Sequence, residues 1–438
     1  MVICIFMKEI FLYNFIICFL FLLLNIGKVG LRGKSILVPS TLFSLMWGVT
    51  SLGCYLYANG VIEGGDYYRY ASFLDEVGTY QFKILSVCFF AFLLARLCAK
   101  RYSFAVPENE SLEEIDFFLS KFRWILYILF ILGMFRLITV LSLVGFNYSN
   151  IRLLYLTGRS SFSSFDLNLI RVSSYVLQAA VFYVCILGVK MSMTKINLKE
   201  LCVCFMLFAP FQMSFGGRLF ILSFFMPFLF AYFAIKLLNV KKIFQDRTEL
   251  HKLLLLAIIP LFLTVFFQVL KMGEQADAKS MSDRSNELFY TTSTYIHLNE
   301  LWKVKPVNHN LGLGRNITPV IGSESPEYKH IKNMWAKNKN AAAVCVPSMI
   351  PGMYFDFGEI GSYIVYFVIF FLLEYIALCV MNRFEIKHLM IYILLCLFAF
   401  GNASSSLADS FKSLIVGLIL VEIISRYFNR SSNEVIGT

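Results

Sequence analysis

Charged residues are scarce in this 438-residue chain: they make up 15% of it, against 58% hydrophobic residues. Soluble domains carry about 25% charged residues, so a soluble globular protein is excluded and a polytopic membrane protein is expected. Chemical motifs are missing as well. No Asp-x-Asp stands ready to hold a metal and a nucleotide diphosphate, and there is no Walker loop, no His-Glu-x-x-His and no Gly-x-Ser-x-Gly. Chemistry that depends on a nucleotide, on ATP or on zinc is disfavoured by these absences, and neither a metal nor another cofactor is expected. No small-residue cleavage site follows the first apolar run, MVICIFMKEIFLYNF, which therefore reads as a retained span and not a removed signal peptide. No internal repeat of the kind that marks many secondary transporters stands out. Cysteine is present, but its 11 copies are scattered through apolar segments except for Cys345, which has no partner in its polar loop. They read as packing residues.

What the chain has is a series of apolar runs. A span needs about 20 mostly apolar residues. That rule gives an all-α membrane protein of about 11 (10–12) spans, with runs at Ile10–Ile26, Ser35–Asn59, Gln81–Cys98, Trp124–Phe146, Val172–Met191, Leu201–Phe215, Leu219–Asn239, Leu253–Leu270, Ile360–Met381, Leu389–Phe400 and Ser413–Phe428. The expected organisation is eight spans over residues 1–270, a long loop with amphipathic helices over 271–358, three spans over 359–428 and a tail at 429–438. Alternate loops differ in charge: one set carries 20 Lys and Arg and the other, leaving out the long loop, carries 8. By the positive-inside rule the first set is cytoplasmic, which places the N-terminus outside and the C-terminus inside. The net charge of +11 is then a matter of topology and not a nucleic-acid signal. In the outer set 5 of the 8 bases are arginine, against 8 of 20 in the inner set. Arginine grips oxyanions bidentately, so an anionic ligand is expected on the outer face.

Polar residues gather in four outer segments. These are the loop at 61–80 with EGGDYYRYASFLDE, the loop at 147–171 with NYSNIRLLYLTGRSSFSSFDLNLIR, the Gly-Gly-Arg turn at 216–218, and the long loop. In the long loop, SNELFYTTSTYIHLNELW places Leu288, Tyr295, Leu298 and Trp302 at helical intervals, as in an amphipathic helix on the membrane or over a cavity. Arg136 and Glu374 fall inside spans, so each must face protein or a wet cavity.

The layout resembles the O-antigen polymerases, the Wzy-type oligosaccharide repeat-unit polymerases, and more distantly the O-antigen ligases. The resemblance is carried by the number of spans, an arginine-bearing outer loop in the first half, the SFGGR turn, one long outer loop, and PGMYFDFGEIGSYIVYFV leading into the next span. It implies a GT-C-like glycosyltransferase at the periplasmic face of the bacterial inner membrane. Such an enzyme transfers a glycan from undecaprenyl pyrophosphate to a new lipid-linked repeat unit, and a chain-length-regulating membrane protein is an expected partner. The donor is already activated, in keeping with the missing nucleotide motifs.

Displacing pyrophosphate from a sugar C1 builds negative charge on the leaving group, which fixed guanidinium groups stabilise. Arg218, flanked by Gly216 and Gly217, is the first candidate, with Arg159, Arg152 and Arg171 as others. Candidate bases for the acceptor hydroxyl are His309, His297, Asp356, Glu359 and Asp66. The resemblance to the ligases favours His309, and Asp356 is also a candidate cap for a helix beginning near Gly358. Tyr290 and Tyr295, with Asp66, are candidate sugar contacts. Two rival readings stand beside this one: an O-antigen ligase or other lipid-linked glycosyltransferase, and a lipid-linked oligosaccharide flippase.

Overall fold

The computed structural model describes residues 2–30, 38–59, 75–99, 109–146, 151, 164–214, 219–236, 349–380, 385–401 and 414–426. They are almost entirely helical, with no strand among them. In chain order the helices are α1 (Val2–Gly30), α2 (Pro39–Ala58), α3 (Asp75–Cys98), α4 (Asn109–Phe122), α5 (Trp124–Leu143), α6 (Ser164–Met193), α7 (Leu198–Met213), α8 (Leu219–Lys236), α9 (Met349–Val380) and α10 (Ile386–Gly401). A further helix, α11, covers 414–426. Helix is the form expected of such sequences, because an apolar surrounding offers no partner for a backbone group that its own segment leaves unbonded.

Among the described residues, four segments are long and apolar enough to cross a membrane: Val77–Cys98, Leu112–Leu143, Tyr175–Met193 and Asp356–Val380. Glu9–Asn25, Ser223–Ile235 and Ile386–Phe400 are apolar and shorter. The all-α membrane class therefore stands. The apolar run Leu253–Leu270 lies outside the described residues.

One helix, α4, differs from the sequence expectation. α4 occupies a stretch read as an inner loop. It buries Ile115, Phe118, Leu119 and Phe122 while leaving Glu113, Glu114 and Asp116 exposed or partly exposed, an apolar stripe at helical spacing on a charged segment. α9 joins two helical segments at a kink: Gly358 is non-helical, so a helix does begin near Gly358, as the sequence expects, and a short helical segment from Met349 precedes it.

The helices pack in two groups. In the first, α1 lies against α2 and α3, and α3 lies against α9; in the second, α6 packs on α8, α5 on α6 and α7, and α7 on α8. α4 rests on α6, and α10 touches members of both groups. The directions within the first group follow from its polar contacts. Asn14 reaches Gln81 and Arg96 reaches Asn25, so α1 and α3 run the same way; Tyr80 meets Ser362 and Arg96 meets Glu374, so α3 and α9 do too. Between these contacts Phe43, Phe89, Phe92 and Phe370 interlock edge to face, Phe43 and Phe370 with ring centroids 4.8 Å apart.

Candidate functional site

The break in α9 positions the polar residues at one end of the first group. Gly358 has φ 68° and ψ −172°, a backbone region essentially restricted to glycine. Pro351 stands in the first turn of α9, where its missing N–H removes no helical bond. The segment ahead of the break is held down: Met353, Tyr354 and Asp356 are buried. Tyr354 meets Tyr80 of α3 edge-on at 5.3 Å, and the Tyr363 ring lies 5.7 Å from Tyr80, tilted to it.

Beyond the break the contacts turn polar. The Ser362 hydroxyl donates to the Glu359 carbonyl oxygen at 2.6 Å, so in the 2.7 Å contact between Tyr80 and Ser362 the tyrosine hydroxyl is the donor. Lys83 Nζ at 2.9 Å and the Tyr363 hydroxyl at 2.8 Å both donate to Glu359 Oε1. Lys83 and Glu359 are 52% and 45% exposed, which leaves this pair reachable by a ligand. The cluster therefore combines two buried tyrosines, Tyr80 and Tyr354, with an accessible cation and carboxylate at Lys83 and Glu359. The accessible pair can take up a proton and meet an oxyanion.

At the other end of the same helices lies a second polar cluster of different character. Glu374 is fully buried and accepts from Arg96 Nε at 2.8 Å, from the Ser40 hydroxyl at 2.8 Å and from the Ser40 backbone N–H at 3.0 Å. The two terminal nitrogens of Arg96 donate to Asn25 Oδ1 and Ser40 Oγ, each at 2.6 Å. Every nitrogen of the guanidinium and both carboxylate oxygens are engaged, so this cluster ties α1, α2, α3 and α9 together. The sequence singled out Arg136 and Glu374 as the intramembrane charges; Glu374 is engaged by Arg96, while Arg136 lies buried over the Phe211 ring at 5.3 Å.

Of the residues proposed from sequence, Glu359 belongs to the first cluster, and Asp356 is buried in the segment ahead of the break. Arg171 falls on α6, and its side chain lies outside the described residues, as do Asp66, Arg152, Arg159, Arg218, Tyr290, Tyr295, His297 and His309. Tyr80, Lys83, Ser362 and Tyr363 were not singled out. A signal was present in two places: Tyr80 and Lys83 stand three apart on one helix, and Glu359, Ser362 and Tyr363 share the i, i+3, i+4 relation that puts side chains on one face. Among the described residues no three His, Cys, Asp or Glu side chains converge as a metal site. No family model, no curated protein and no solved structure matches the chain.

Proposed function

We propose that this protein is a membrane glycosyltransferase that joins undecaprenyl-pyrophosphate-linked oligosaccharide repeat units into a surface polysaccharide, working at the periplasmic face of the bacterial inner membrane. The observation that carries the reading is the meeting of two separate polar elements from the sequence. The end of the 61–80 segment, through Tyr80, packs on the PGMYFDFGEIGSY element through Tyr354 and Ser362. The reading draws its orientation from the distribution of Lys and Arg. The shared direction of α3 and α9 supports it, since two parallel spans need an odd number of crossings between them. The apolar runs at Trp124, Val172, Leu201, Leu219 and Leu253 number five.

In this reading the arginines at 218, 159, 152 and 171 hold the pyrophosphate, and Tyr290, Tyr295 and Asp66 face sugar. A base among Asp356, Glu359, His309 and His297 accepts the proton of the acceptor hydroxyl. The GT-C-like fold, the eleven spans and the partnership with a chain-length regulator belong to the same proposal. An enzyme is favoured over a flippase because the charges within the apolar runs are few and the polar residues gather in the outer segments, whereas a transport pathway needs charged residues along its cavity.

The test is the glycan profile of a producing strain that carries Asp356→Asn or Arg218→Ala at normal protein level. Polymerase loss leaves single repeat units capped on the acceptor. Polymer stranded on the lipid carrier would mark a ligase instead, and repeat units trapped on the cytoplasmic side would mark a flippase. A normal polymer ladder with both variants would sink the reading.

A further inference from the structure

The segment Leu112–Leu143 is apolar enough to cross a membrane, yet its 32 residues would reach about 48 Å as a helix, well beyond the ~30 Å of hydrocarbon. α5 by itself, with 20 residues, spans about 30 Å. One end of the longer segment must therefore stand outside, and the exposed charges say which. Glu113, Glu114, Lys121 and Arg123 are exposed and all precede Trp124. From Trp124 onward the exposed face of α5 is apolar, through Ile131, Phe135 and Ile138, and the one charge within α5, Arg136, is buried. The boundary between hydrocarbon and water thus falls between Lys121 and Trp124, and the exposed Trp124 and Tyr127 are the amphipathic rings expected at that depth. The two bases at this boundary have an unusual setting. Lys83, Arg96, Lys190, Lys387 and Arg426 each meet a carboxylate. Lys121 and Arg123 meet none among the described residues. Each lies over a ring instead, Lys121 Nζ 5.6 Å from the Phe117 centroid and the Arg123 guanidinium 5.9 Å from that of Tyr127.

Independently of the glycosyltransferase reading, we propose that the junction of α4 and α5 is a docking site for anionic phospholipid, with Lys121 and Arg123 as ligands of the headgroup phosphates. An aromatic ring steadies a cation without neutralising it, so the N–H donors of both bases remain for a phosphate. The positions three and four residues from either base hold uncharged residues only, so no carboxylate of the same helix face competes. Of the carboxylates nearby on α4 and α7, Asp116 and Glu200 are both held by Lys190, at 2.9 and 3.7 Å. Arg123 has helical backbone angles, φ −57° and ψ −27°, so bases two positions apart leave the helix on nearly opposite sides. Each therefore takes its own headgroup, Lys121 on the side of Trp124 and Arg123 on the side of Tyr127. The positive-inside count assigns this end to the cytoplasm, whose leaflet is negatively charged. Phosphates held on both sides fix the depth of α5 in the bilayer and, through its packing on α6 and α7, that of the second helix group.

Trp124 supplies a local readout. In the full-length protein in phosphatidylcholine nanodiscs, its emission is taken as the difference between each protein and the same protein carrying Trp124→Phe. The titrant is phosphatidylglycerol or phosphatidylcholine brominated on the acyl chains, which quenches a tryptophan that it touches. Wild type is expected to reach half-maximal quenching at a fraction of the anionic lipid on the order of tenfold lower than that of the neutral one. Lys121→Gln should remove about fivefold of that preference, Lys121→Gln with Arg123→Gln should remove the rest, and Lys121→Arg should keep it. Lys195→Gln removes another exposed base, in the turn between α6 and α7, and should leave the preference nearly unchanged. Equal quenching of the wild type by both lipids, or a double variant that keeps the preference, would overturn the proposal. So would a Lys195→Gln as damaging as Lys121→Gln, which would reduce the effect to general surface charge. Relief of the quenching by inorganic phosphate would mark a site for any phosphate and would overturn the assignment to lipid. Unfolding midpoints check that each variant folds, and the two single variants carry the test should the double variant fail to fold.

Discussion

The two helix groups hold together by different means. In the group of α1, α2, α3 and α9, polar side chains are buried at intervals along the interface. Asn14 donates to Gln81 at 3.0 Å and to the Gly78 carbonyl at 3.2 Å, Asn25 to Thr41 at 3.1 Å, and Arg96 to Glu374 at 2.8 Å. In the group of α5, α6, α7 and α8 the backbones themselves approach. A Cβ added to Gly133 would stand 2.5 Å from the Phe211 amide nitrogen, and one added to Gly188 would stand 2.5 Å from the Phe228 carbonyl oxygen. The second arrangement is the small-residue packing of membrane helices, driven by van der Waals contact. The first is specified by partners that few other registers would satisfy. The difference teaches that the polar group is fixed by pairing and the glycine group by shape, so the two should fail under different substitutions.

The largest expected effect separates them at once. Arg96→Leu or Glu374→Leu alone leaves a buried charge without its partner and should cost about 3–5 kcal/mol, read as a fall in the folded fraction on thermal unfolding in detergent. Replacing both by apolar residues of similar volume, Arg96→Met with Glu374→Leu, should recover most of that loss. A double variant no better than the singles would show that the pair does more than complete the interface.

Next come the glycines. Gly133→Ala and Gly188→Ala drive a methyl into backbone and should each cost about 1–3 kcal/mol. Gly48→Ala in the polar group meets only Cys18 Cβ at 3.4 Å and should stay within about 0.5 kcal/mol. Equal losses at all three positions would erase the contrast between shape and pairing.

Gly358→Ala sharpens the comparison inside the polar group, because there the cost is conformational and not steric: nothing lies within 4 Å of the added Cβ, yet φ is +68°. A loss of about 1–3 kcal/mol is expected, read as a lower unfolding midpoint. The smallest stability effect should come from Lys83→Gln, at about 0–1 kcal/mol. Its mark is an unfolding midpoint that stays nearly still.

Much of this fold was legible as apolar length. The run at Trp124 begins where α5 begins, and those at Leu219 and Leu389 fall within a few residues of α8 and α10, because about 20 apolar residues in a row have few other uses. The amphipathic α4 was written just as plainly, in the spacing of Ile115, Phe118, Leu119 and Phe122, but acidic residues around it lower the hydropathy that a span search follows. What hydropathy does not carry is which helix meets which. Arg96 therefore read as one more base in a cytoplasmic loop, and its engagement with Glu374 came only from the packing of α3 on α9. The candidate site divides in the same way. The chemistry of Asp356 and Glu359 was visible in their setting next to Gly358, whereas the roles of Tyr80 and Lys83 depend on a neighbour far along the chain.

The Arg96–Glu374 cluster also sets an order of assembly. The two residues are separated by 278 positions, and at a synthesis rate of about 5–20 residues per second the interval between them is on the order of tens of seconds. Throughout that time α1, α2 and α3 can meet while Arg96 bonds Asn25 and Ser40 without its carboxylate. The early helices are thus a half-finished seam on the nascent chain, sealed only when α9 slides in beside α3, and a chain cut short before Met349 would keep that seam open with an arginine waiting in it.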